Sequence, residues 1–233
     1  MYSEEREVKY SDLSPSKNAS LPAVLRFYQD AAISHSAHAG YPIERLYSDN
    51  RAWILISMNT DILRYPRDRE KITVSTFPTK FARCYGFRSF NIAGEDKEII
   101  CKAASFWVLM DIKEQKPVRI YDDMAQCYGI DPLETLEYIR REPEIGKCNE
   151  VCPIVVGKRD IDTNNHVNNV KLAEFVLEAV PLDKQIKSAQ IYYSHACYES
   201  ERLMVQSCES GNTIGSRLVD AGGVVRVSAK FQV

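Results

Sequence analysis

One plan occurs twice along this chain, an amphipathic helix followed by short strands, and this repetition constrains the fold more than any other feature. The first helix signal starts at Ser20, a residue type that favours N-caps, and Pro22 suits the first helical turn. Its apolar stripe consists of Leu21, Val24, Leu25, Tyr28 and Ala32, and the helix should end near Gly40. Strand-like runs follow over residues 53–61, 72–77, 84–93 and 99–111. This order of elements predicts the α+β class.

The second copy of the plan lies in the last third of the chain. Its helical stripe consists of Val170, Leu172, Phe175, Val176 and Ala179 and stops before Pro181. Strand-like runs follow over residues 190–194, 202–207, 213–219 and 224–233. An offset of about 148 residues brings the apolar phases of the two helices together. We therefore expect an N-terminal unit over 1–111, a polar connector over 112–153 and a C-terminal unit over 154–233.

Composition excludes several classes of function. The chain has 233 residues and a formal net charge of -2, so it lacks the basic surface that general binding to nucleic acid requires. Its N-terminus has no apolar core of signal-peptide length, and no apolar run reaches the roughly 18 residues of a membrane span. These observations predict a cytoplasmic protein without a membrane span.

The cysteines indicate neither a disulfide framework nor a structural zinc site. Seven cysteines stand at irregular spacings, and no two of them form a CxxC pair. Cys148 and Cys152 are the closest pair in the sequence, and we interpret them as unrelated thiols in a connecting segment.

A polar segment immediately before the second helix carries the groups that acyl transfer needs. Within residues 159–169, Asp162 offers a carboxylate that can activate water, and His166 offers an imidazole that can move a proton near neutral pH. Asn164 offers a carboxamide that can hold a carbonyl group. The start of the following helix adds backbone N–H groups that can stabilise an oxyanion.

Helix capping is the competing interpretation, because Asp, Asn and Thr before a helix commonly form caps and Asx-turns. The same offset of about 148 residues places Ser14, Ser16 and Asn18 opposite the three candidate residues. The first copy thus keeps capping chemistry but has no carboxylate or imidazole. A cap needs no histidine, so the contrast favours one catalytic copy and one structural copy.

The stretch DIDTNNHVNNVKLAEFVLEAVP resembles the central motif of the acyl-ACP thioesterases, where ACP is acyl carrier protein. The resemblance continues in the first half through RAWILISMNTDILRYPRDREKITVSTFP, FRSF and AASFWVLMDIKEQKPVRI, and it covers roughly residues 5–233. It implies a tandem hot-dog fold, two long helices each wrapped by an antiparallel β-sheet. It also implies hydrolysis of fatty acyl-ACP to free fatty acid and carrier in fatty acid biosynthesis, without a metal or organic cofactor.

Carried over by position, the resemblance makes Asp162, Asn164 and His166 the catalytic residues. It also matches Cys197 to a cysteine once taken as a nucleophile. The alternative for Cys197 is a strand cysteine that packs as a small hydrophobic residue.

The chain departs from the family at the position before this cysteine, which is a glutamate in many members and is Ala196 here. Three groups could replace the missing water-activating carboxylate: Asp162 itself, Glu199 or His195. Strand alternation favours Glu199 among the other carboxylates, because it lies on the face of Cys197, although one residue off the face of Ala196. We prefer Asp162 as the base, which either activates water or attacks directly to give a transient anhydride.

The first half offers apolar residues for an acyl tail. The candidates for substrate binding are Trp53, Met58, Phe77, Phe87 and Trp107, with Ile54, Leu55 and Phe90 beside them. Ordinary packing of a sheet against a helix would use the same residues. The acidic carrier would find cations near the motif at Lys158, Arg159, Lys171, Lys184 and Lys187, although exposed lysines are usually only solvated.

Three other functions compete with acyl-ACP hydrolysis. An acyl-CoA thioesterase would use the same chemistry on a nucleotide carrier, and a non-catalytic acyl-binding protein would explain the loss of the glutamate. A hot-dog dehydratase also pairs a histidine with a carboxylate, but the continuous Asp-x-Asn-x-His motif argues against it. Because hot-dog units often associate through sheet edges, we also expect a homodimer.

Overall fold

The computed structural model describes residues 1–133 and 136–233. The chain divides into two compact units, Met1–Tyr138 and Ile139–Val233. This division falls inside the segment 112–153 that we expected to connect two domains, of which residues 134 and 135 lie outside the described part. The finer domain limits given above stay a prediction.

The first unit contains a long helix and an antiparallel sheet. In chain order its elements are β1 (Tyr2–Glu7), a 3₁₀ turn (Tyr10–Asp12), α1 (Leu21–His38), α2 (Ile43–Ser48), β2 (Arg51–Ile62), β3 (Lys71–Ala82), β4 (Tyr85–Ala93), β5 (Ile99–Asp111), β6 (Lys116–Pro117) and α3 (Asp122–Tyr128). The strand order is β1-β3-β4-β5-β2, and β6 pairs with β5.

The second unit repeats this arrangement. Its elements are β7 (Asn149–Val155), a 3₁₀ turn (Lys158–Asp160), α4 (Asn169–Leu177), β8 (Ser188–Tyr193), β9 (Arg202–Ser210), β10 (Thr213–Asp220) and β11 (Val225–Gln232). The strand order is β7-β9-β10-β11-β8, which is the order of the first unit. Each unit therefore places its sequence-initial strand at a sheet edge and inserts its helix before the remaining strands.

Capping and apolar periodicity explain where the two principal helices lie. The Ser20 hydroxyl accepts a hydrogen bond from the Ala23 N–H, and the Asn168 side chain accepts one from the Val170 N–H. In α1 the residues of the expected stripe are buried, and the Tyr28 ring packs against Phe90 of β4 at 5.0 Å between centroids. In α4 the buried side packs against β10 and β11. The two helix predictions are confirmed.

The central strands were predicted from sequence, whereas the first strand of each unit was missed. β1 reads YSEERE and β7 reads NEVCPIV, and both alternate between exposed and partly buried residues. Edge strands need little apolar surface and often carry charge, so their composition does not distinguish them from a polar loop. The short helices α2 and α3 were also missed.

Within the described parts of the chain, no helix is long and apolar enough to cross a membrane. All seven cysteines have free thiols.

Candidate active site

The motif Asp162–His166 forms a closed loop that the first unit repeats with other side chains. The Asp162 N–H donates to the His166 carbonyl at 2.8 Å, and the Ser14 N–H donates to the Asn18 carbonyl at 2.8 Å. One residue before the end of each loop the backbone is left-handed, with φ 61° at Asn165 and 62° at the corresponding lysine, Lys17. The two loops share one backbone conformation.

The connection from each loop to its helix is repeated as well. The Asn168 N–H donates to the Asp160 carbonyl at 3.0 Å, and the Ser20 N–H donates to the Asp12 carbonyl at 2.8 Å. Isolated antiparallel bridges close the loops at Ile161–Val167 and Leu13–Ala19. The offset of 148 positions deduced from helical phase, which carries Leu21 onto Asn169, therefore holds for the helix starts and for the loops before them.

The side chains make the two loops chemically different. One Asp162 oxygen accepts the Asn164 N–H at 2.7 Å and the other accepts the Asn164 Nδ2 at 3.4 Å, so the carboxylate has a fixed orientation. In the first unit Ser14 and Ser16 share one hydrogen bond of 2.8 Å between hydroxyls. The loop thus folds without a carboxylate or an imidazole, and folding alone does not explain Asp162 and His166.

His166 lies against the segment that follows β8. Its ring packs on the Tyr198 ring with centroids 5.0 Å apart, and the neighbouring Val167 N–H donates to the Cys197 carbonyl at 2.9 Å. Tyr198 is 48% exposed, so it contributes a ring beside the imidazole at the protein surface. Sequence reasoning missed Tyr198 because nothing in the local pattern connects it to a loop about thirty residues earlier.

The segment containing Ala196 and Glu199 is a loop and not a strand, because β8 ends at Tyr193. The argument from strand alternation for Glu199 was therefore wrong in its premise. Ala196 is exposed, and its carbonyl accepts a hydrogen bond of 2.8 Å from Arg226 Nη1. Glu199 is exposed, and His195 is an exposed residue whose Nδ1 lies 3.0 Å from the Val225 carbonyl oxygen.

Arg226 and the two carboxylates that it contacts hold this loop in place. Arg226 Nη2 pairs with Asp220 at 3.0 Å and with Glu201 at 3.3 Å. The other Glu201 oxygen accepts the Tyr198 N–H at 3.2 Å. Hydrogen bonds from the backbone N–H groups of Val224 and Gly222, together with Arg226, hold the pKa of Asp220 below its usual value. These contacts fix the backbone that carries Tyr198.

Cys197 lies under this loop and is shielded from solvent. Its relative exposure is 0%, and burial, reinforced by the nearby Glu201 carboxylate, raises the pKa of its thiol to about 12. A nucleophilic cysteine needs the thiolate form near neutral pH. The surroundings of Cys197 favour the thiol.

The five residues expected to contact an acyl tail are divided between the two faces of the first unit's sheet. Met58 pairs across the ladder with Ser105, and Trp107, two residues further along β5, shares that face. Phe87 pairs with Phe106 on the other face, where its ring contacts Tyr138 at 5.1 Å between centroids.

The remaining two candidates follow the same division. Trp53 pairs with Leu109, two residues beyond Trp107 on β5, and therefore shares the face of Met58 and Trp107. Phe77 pairs with Ser89, which lies two residues from Phe87 on β4 and shares its face. The structure does not bring all five together.

The face turned toward α1 also carries buried polar groups. Arg88 is 8% exposed, and its Nη1 lies 2.9 Å from His35 Nδ1 and 3.0 Å from the Thr76 hydroxyl. Burial and the adjacent Arg88 charge lower the pKa of His35 to about 3. Near neutral pH His35 is neutral and accepts a hydrogen bond from the guanidinium.

Among the described residues, no group of three or more His, Cys, Asp or Glu side chains could hold a metal ion. Of the cations near the motif, Lys171 pairs with Glu174, whereas Lys158, Arg159, Lys184 and Lys187 are exposed.

Two sequence families match this chain and together cover most of it. The acyl-ACP thioesterase N-terminal domain matches residues 1–128, and the acyl-ACP thioesterase C-terminal domain matches residues 147–229. Curated relatives include a chloroplastic palmitoyl-acyl carrier protein thioesterase of Cuphea hookeriana, which is 24% identical over 94% of this chain and 59% of its own length. The chloroplastic oleoyl-acyl carrier protein thioesterase 2 of Arabidopsis thaliana is 21% identical over 95% of this chain and 67% of its own length. The chain thus spans about three fifths of the Cuphea relative.

Solved structures confirm the predicted fold. An acyl-ACP thioesterase from Bacteroides thetaiotaomicron superimposes with a TM-score of 0.92 at 21% identity, over 99% of this chain and 96% of the other. A 12:0-ACP thioesterase from Umbellularia californica superimposes with a TM-score of 0.84 at 18% identity, over 99% and 96% of the two chains. The architecture of the chain is the tandem hot-dog fold.

Proposed function

Because the chain belongs to the acyl-ACP thioesterase family, we propose that it hydrolyses fatty acyl-ACP to a free fatty acid and the carrier protein. The observation that carries this proposal is the pair of matched loops. The first unit builds the loop with Ser14 and Asn18, and the second builds the same backbone with Asp162 and His166. Since the loop does not need these ionisable groups to fold, their presence in one copy supports a catalytic role.

In the proposed mechanism Asp162 accepts the proton of the attacking water. The Asn164 backbone N–H donates to one carboxylate oxygen and so orients the carboxylate. Water attacks the thioester carbonyl, and the carbon–sulfur bond of the tetrahedral intermediate then breaks. Holding water and carbonyl in line supplies much of the rate, because bringing reactants together otherwise costs entropy.

His166 and the start of α4 are proposed to stabilise the negative charges that develop on the substrate. His166 and Asn164 position the carbonyl, and His166 can pass the proton that Asp162 takes from water to the departing thiolate. The Val170 N–H is already bonded to the Asn168 side chain, so the oxyanion would be stabilised by other first-turn N–H groups of α4.

Cys197 has a structural role in this proposal. Its thiol is buried and its pKa is raised, while its carbonyl holds the Val167 N–H at the end of the catalytic loop. Glu199 and His195 are exposed on the loop after β8 and serve as secondary candidates for the base. With Asp162 as the base, the proposed mechanism requires neither residue.

The acyl tail is proposed to lie on the face of the first unit's sheet that carries Trp53, Met58 and Trp107. Phe77 and Phe87, on the other face, then serve as core residues. The acidic carrier is proposed to contact the exposed Lys158 and Arg159, which precede the catalytic loop directly. A cytoplasmic location and a homodimer stay predictions.

The test is thiol release from palmitoyl-ACP and octanoyl-ACP and from the corresponding acyl-CoAs. We expect Asp162→Ala and His166→Ala each to lower kcat/KM by about 10²- to 10⁴-fold, as loss of a general base or acid does. The matched variants Ser14→Ala and Asn18→Ala change the equivalent positions of the first loop and should stay within about threefold of wild type. Cys197→Ala should also keep most of the activity.

The outcomes separate the competing functions. Release from ACP but not from CoA, lost only in the second-loop variants, supports the proposal. Equal release from both carriers would indicate a thioesterase without carrier selectivity. Binding of acyl-ACP without any release by folded wild type would overturn the enzymatic assignment and leave an acyl-binding protein.

A further inference from the structure

Two cysteines that are far apart in sequence face each other at the outer edge of the second unit. β7 pairs with β9 in antiparallel register, with Asn149 opposite Ser207. Continuing this register by one residue places Cys148 opposite Cys208. Directly opposed residues of an antiparallel pair have Cα atoms about 4.5–5.5 Å apart, inside the range that a disulfide spans.

The packing around these residues brings their sulfur atoms to one place. The Cys148 thiol donates to the Gly146 carbonyl at 3.3 Å, and a Cβ on Gly146 would lie 3.8 Å from the Cys208 Sγ. Cys208 is also opposite Gly215 of β10, where a Cβ would lie 3.0 Å from its sulfur. Because Gly146 and Gly215 have no side chains, they leave space for the sulfur atoms of Cys148 and Cys208.

We propose that Cys148 and Cys208 are a redox modification site that closes to a disulfide in exchange with a small disulfide such as oxidised glutathione. One protein thiolate attacks the oxidant, forming a mixed disulfide and releasing one glutathione thiol. The second protein thiolate then attacks the mixed disulfide and releases the other. The protein loses two protons and two electrons, and oxidised glutathione becomes two reduced molecules.

Both thiols can take part in this exchange. Cys148 and Cys208 are partly exposed, whereas Cys197 and Cys101 are buried. Partial burial and the adjacent Cys208 raise the pKa of the Cys148 thiol, while the nearby Arg217 guanidinium acts in the opposite direction. We therefore expect the disulfide to form slowly at neutral pH and faster at about pH 8.5, where more of the thiol is ionised.

The cross-link would enclose the whole proposed catalytic region. Asp162, His166 and Cys197 all lie between residues 148 and 208. A disulfide that closes a loop of this length restricts the unfolded chain strongly. Oxidation should therefore stabilise the second unit without requiring any change in the catalytic loop.

The experiment starts from reduced full-length protein exposed to oxidised glutathione at about pH 8.5. Remaining thiols are alkylated, counted by intact mass, and mapped after tryptic cleavage. We expect wild type to convert two of its seven thiols to an internal disulfide, while the exposed Cys127 carries glutathione, and to yield peptide 148–158 joined to peptide 203–217. Peptide 148–158 also contains Cys152, so the Cys152→Ser variant is mapped in parallel and should give the same cross-link.

Variants of the pair complete the test. Cys148→Ser and Cys208→Ser should form no internal disulfide, and the remaining thiol should carry glutathione instead. Oxidised wild type and Cys152→Ser should unfold at a urea concentration about 1 M higher than their reduced forms, reversed by dithiothreitol. Seven free thiols after oxidation, or a cross-link that needs Cys152, would overturn the proposal. If Cys148→Ser and Cys208→Ser fail to fold, peptide mapping of wild type and Cys152→Ser still tests the proposal.

Discussion

Position 162 shows how one side chain changes what a repeated loop can do. Ser14 and Asp162 both make local hydrogen bonds at the start of the loop, which is the ordinary role of such residues before a helix. Only Asp162 brings a charge to the surface, together with His166 four residues later. Different side chains on a shared backbone thus separate a structural copy from a proposed catalytic one.

Tyr198 should orient the His166 ring, since the two rings pack at 5.0 Å between centroids. We expect Tyr198→Ala to lower kcat about tenfold with little change in KM, and Tyr198→Phe to restore most of the loss. If Tyr198→Phe is as impaired as Tyr198→Ala, the hydroxyl and not ring packing is responsible.

His35 should make the protein less stable in mild acid. The pKa of His35 is about 3 in the folded protein, below the value of about 6.5 in an unfolded chain, so the unfolded state binds the proton first. The stability that His35 contributes is complete above pH 6.5 and is lost as pH falls toward 3. Between pH 6.5 and 5 this linkage amounts to about 2 kcal/mol.

Urea unfolding of wild type and His35→Gln at several pH values measures this linkage. The variant should lose less stability between pH 7 and 5 than wild type does. His195→Gln removes an exposed histidine and should keep the wild-type pH dependence. Parallel curves for wild type and His35→Gln would show that His35 does not cause the acid sensitivity.

At the scale of elements, the two loops offer a matched pair of substitutions. Asn165 and Lys17 have positive φ angles, which a β-branched residue adopts only with strain. We expect Asn165→Val and Lys17→Val each to lower the free energy of unfolding by about 1–2 kcal/mol. Only Asn165→Val should also reduce thioesterase activity, because only that loop carries Asp162 and His166.

Glycine variants at the same two positions are the controls. Glycine adopts positive φ without strain, so Asn165→Gly and Lys17→Gly should fold nearly as stably as wild type. Equal loss of activity in Asn165→Val and Lys17→Val, measured under conditions where both are folded, would contradict the assignment of catalysis to the second loop.

Considering the whole molecule, we expect the protein surface around the site to affect a substrate carried on a protein more than a small thioester. Lys158 and Arg159 are exposed on the 3₁₀ turn that enters the catalytic loop. We expect the double variant Lys158→Glu, Arg159→Glu to raise KM for acyl-ACP about tenfold at low salt, through repulsion of the acidic carrier. Release from a short acyl-pantetheine thioester should be unchanged.

The matched control reverses two other exposed lysines. Lys97→Glu, Lys113→Glu makes the same change in net charge at two exposed positions of the first unit. An equal rise in KM for both double variants would indicate an effect of overall charge and would argue against docking beside the loop.

The repeat, its offset and the chemistry of the motif can be read from the amino-acid sequence alone. The helix caps and the apolar stripes depend only on residues that are close in sequence, so they can be recognised without knowledge of the fold. The caps at Ser20 and Asn168 are examples. The tandem hot-dog architecture followed from these signals together with the resemblance to a family.

Contacts between segments that are distant in sequence depend on the folded chain. Strand register and the end of β8 at Tyr193 depend on hydrogen bonds between residues far apart in sequence. Those bonds place Tyr198 beside His166, bring Cys148 opposite Cys208, and set Met58 and Phe87 on opposite faces of one sheet. A shift of one residue in register turns every side chain of a strand to the other face of the sheet. The composition of one strand does not specify its register.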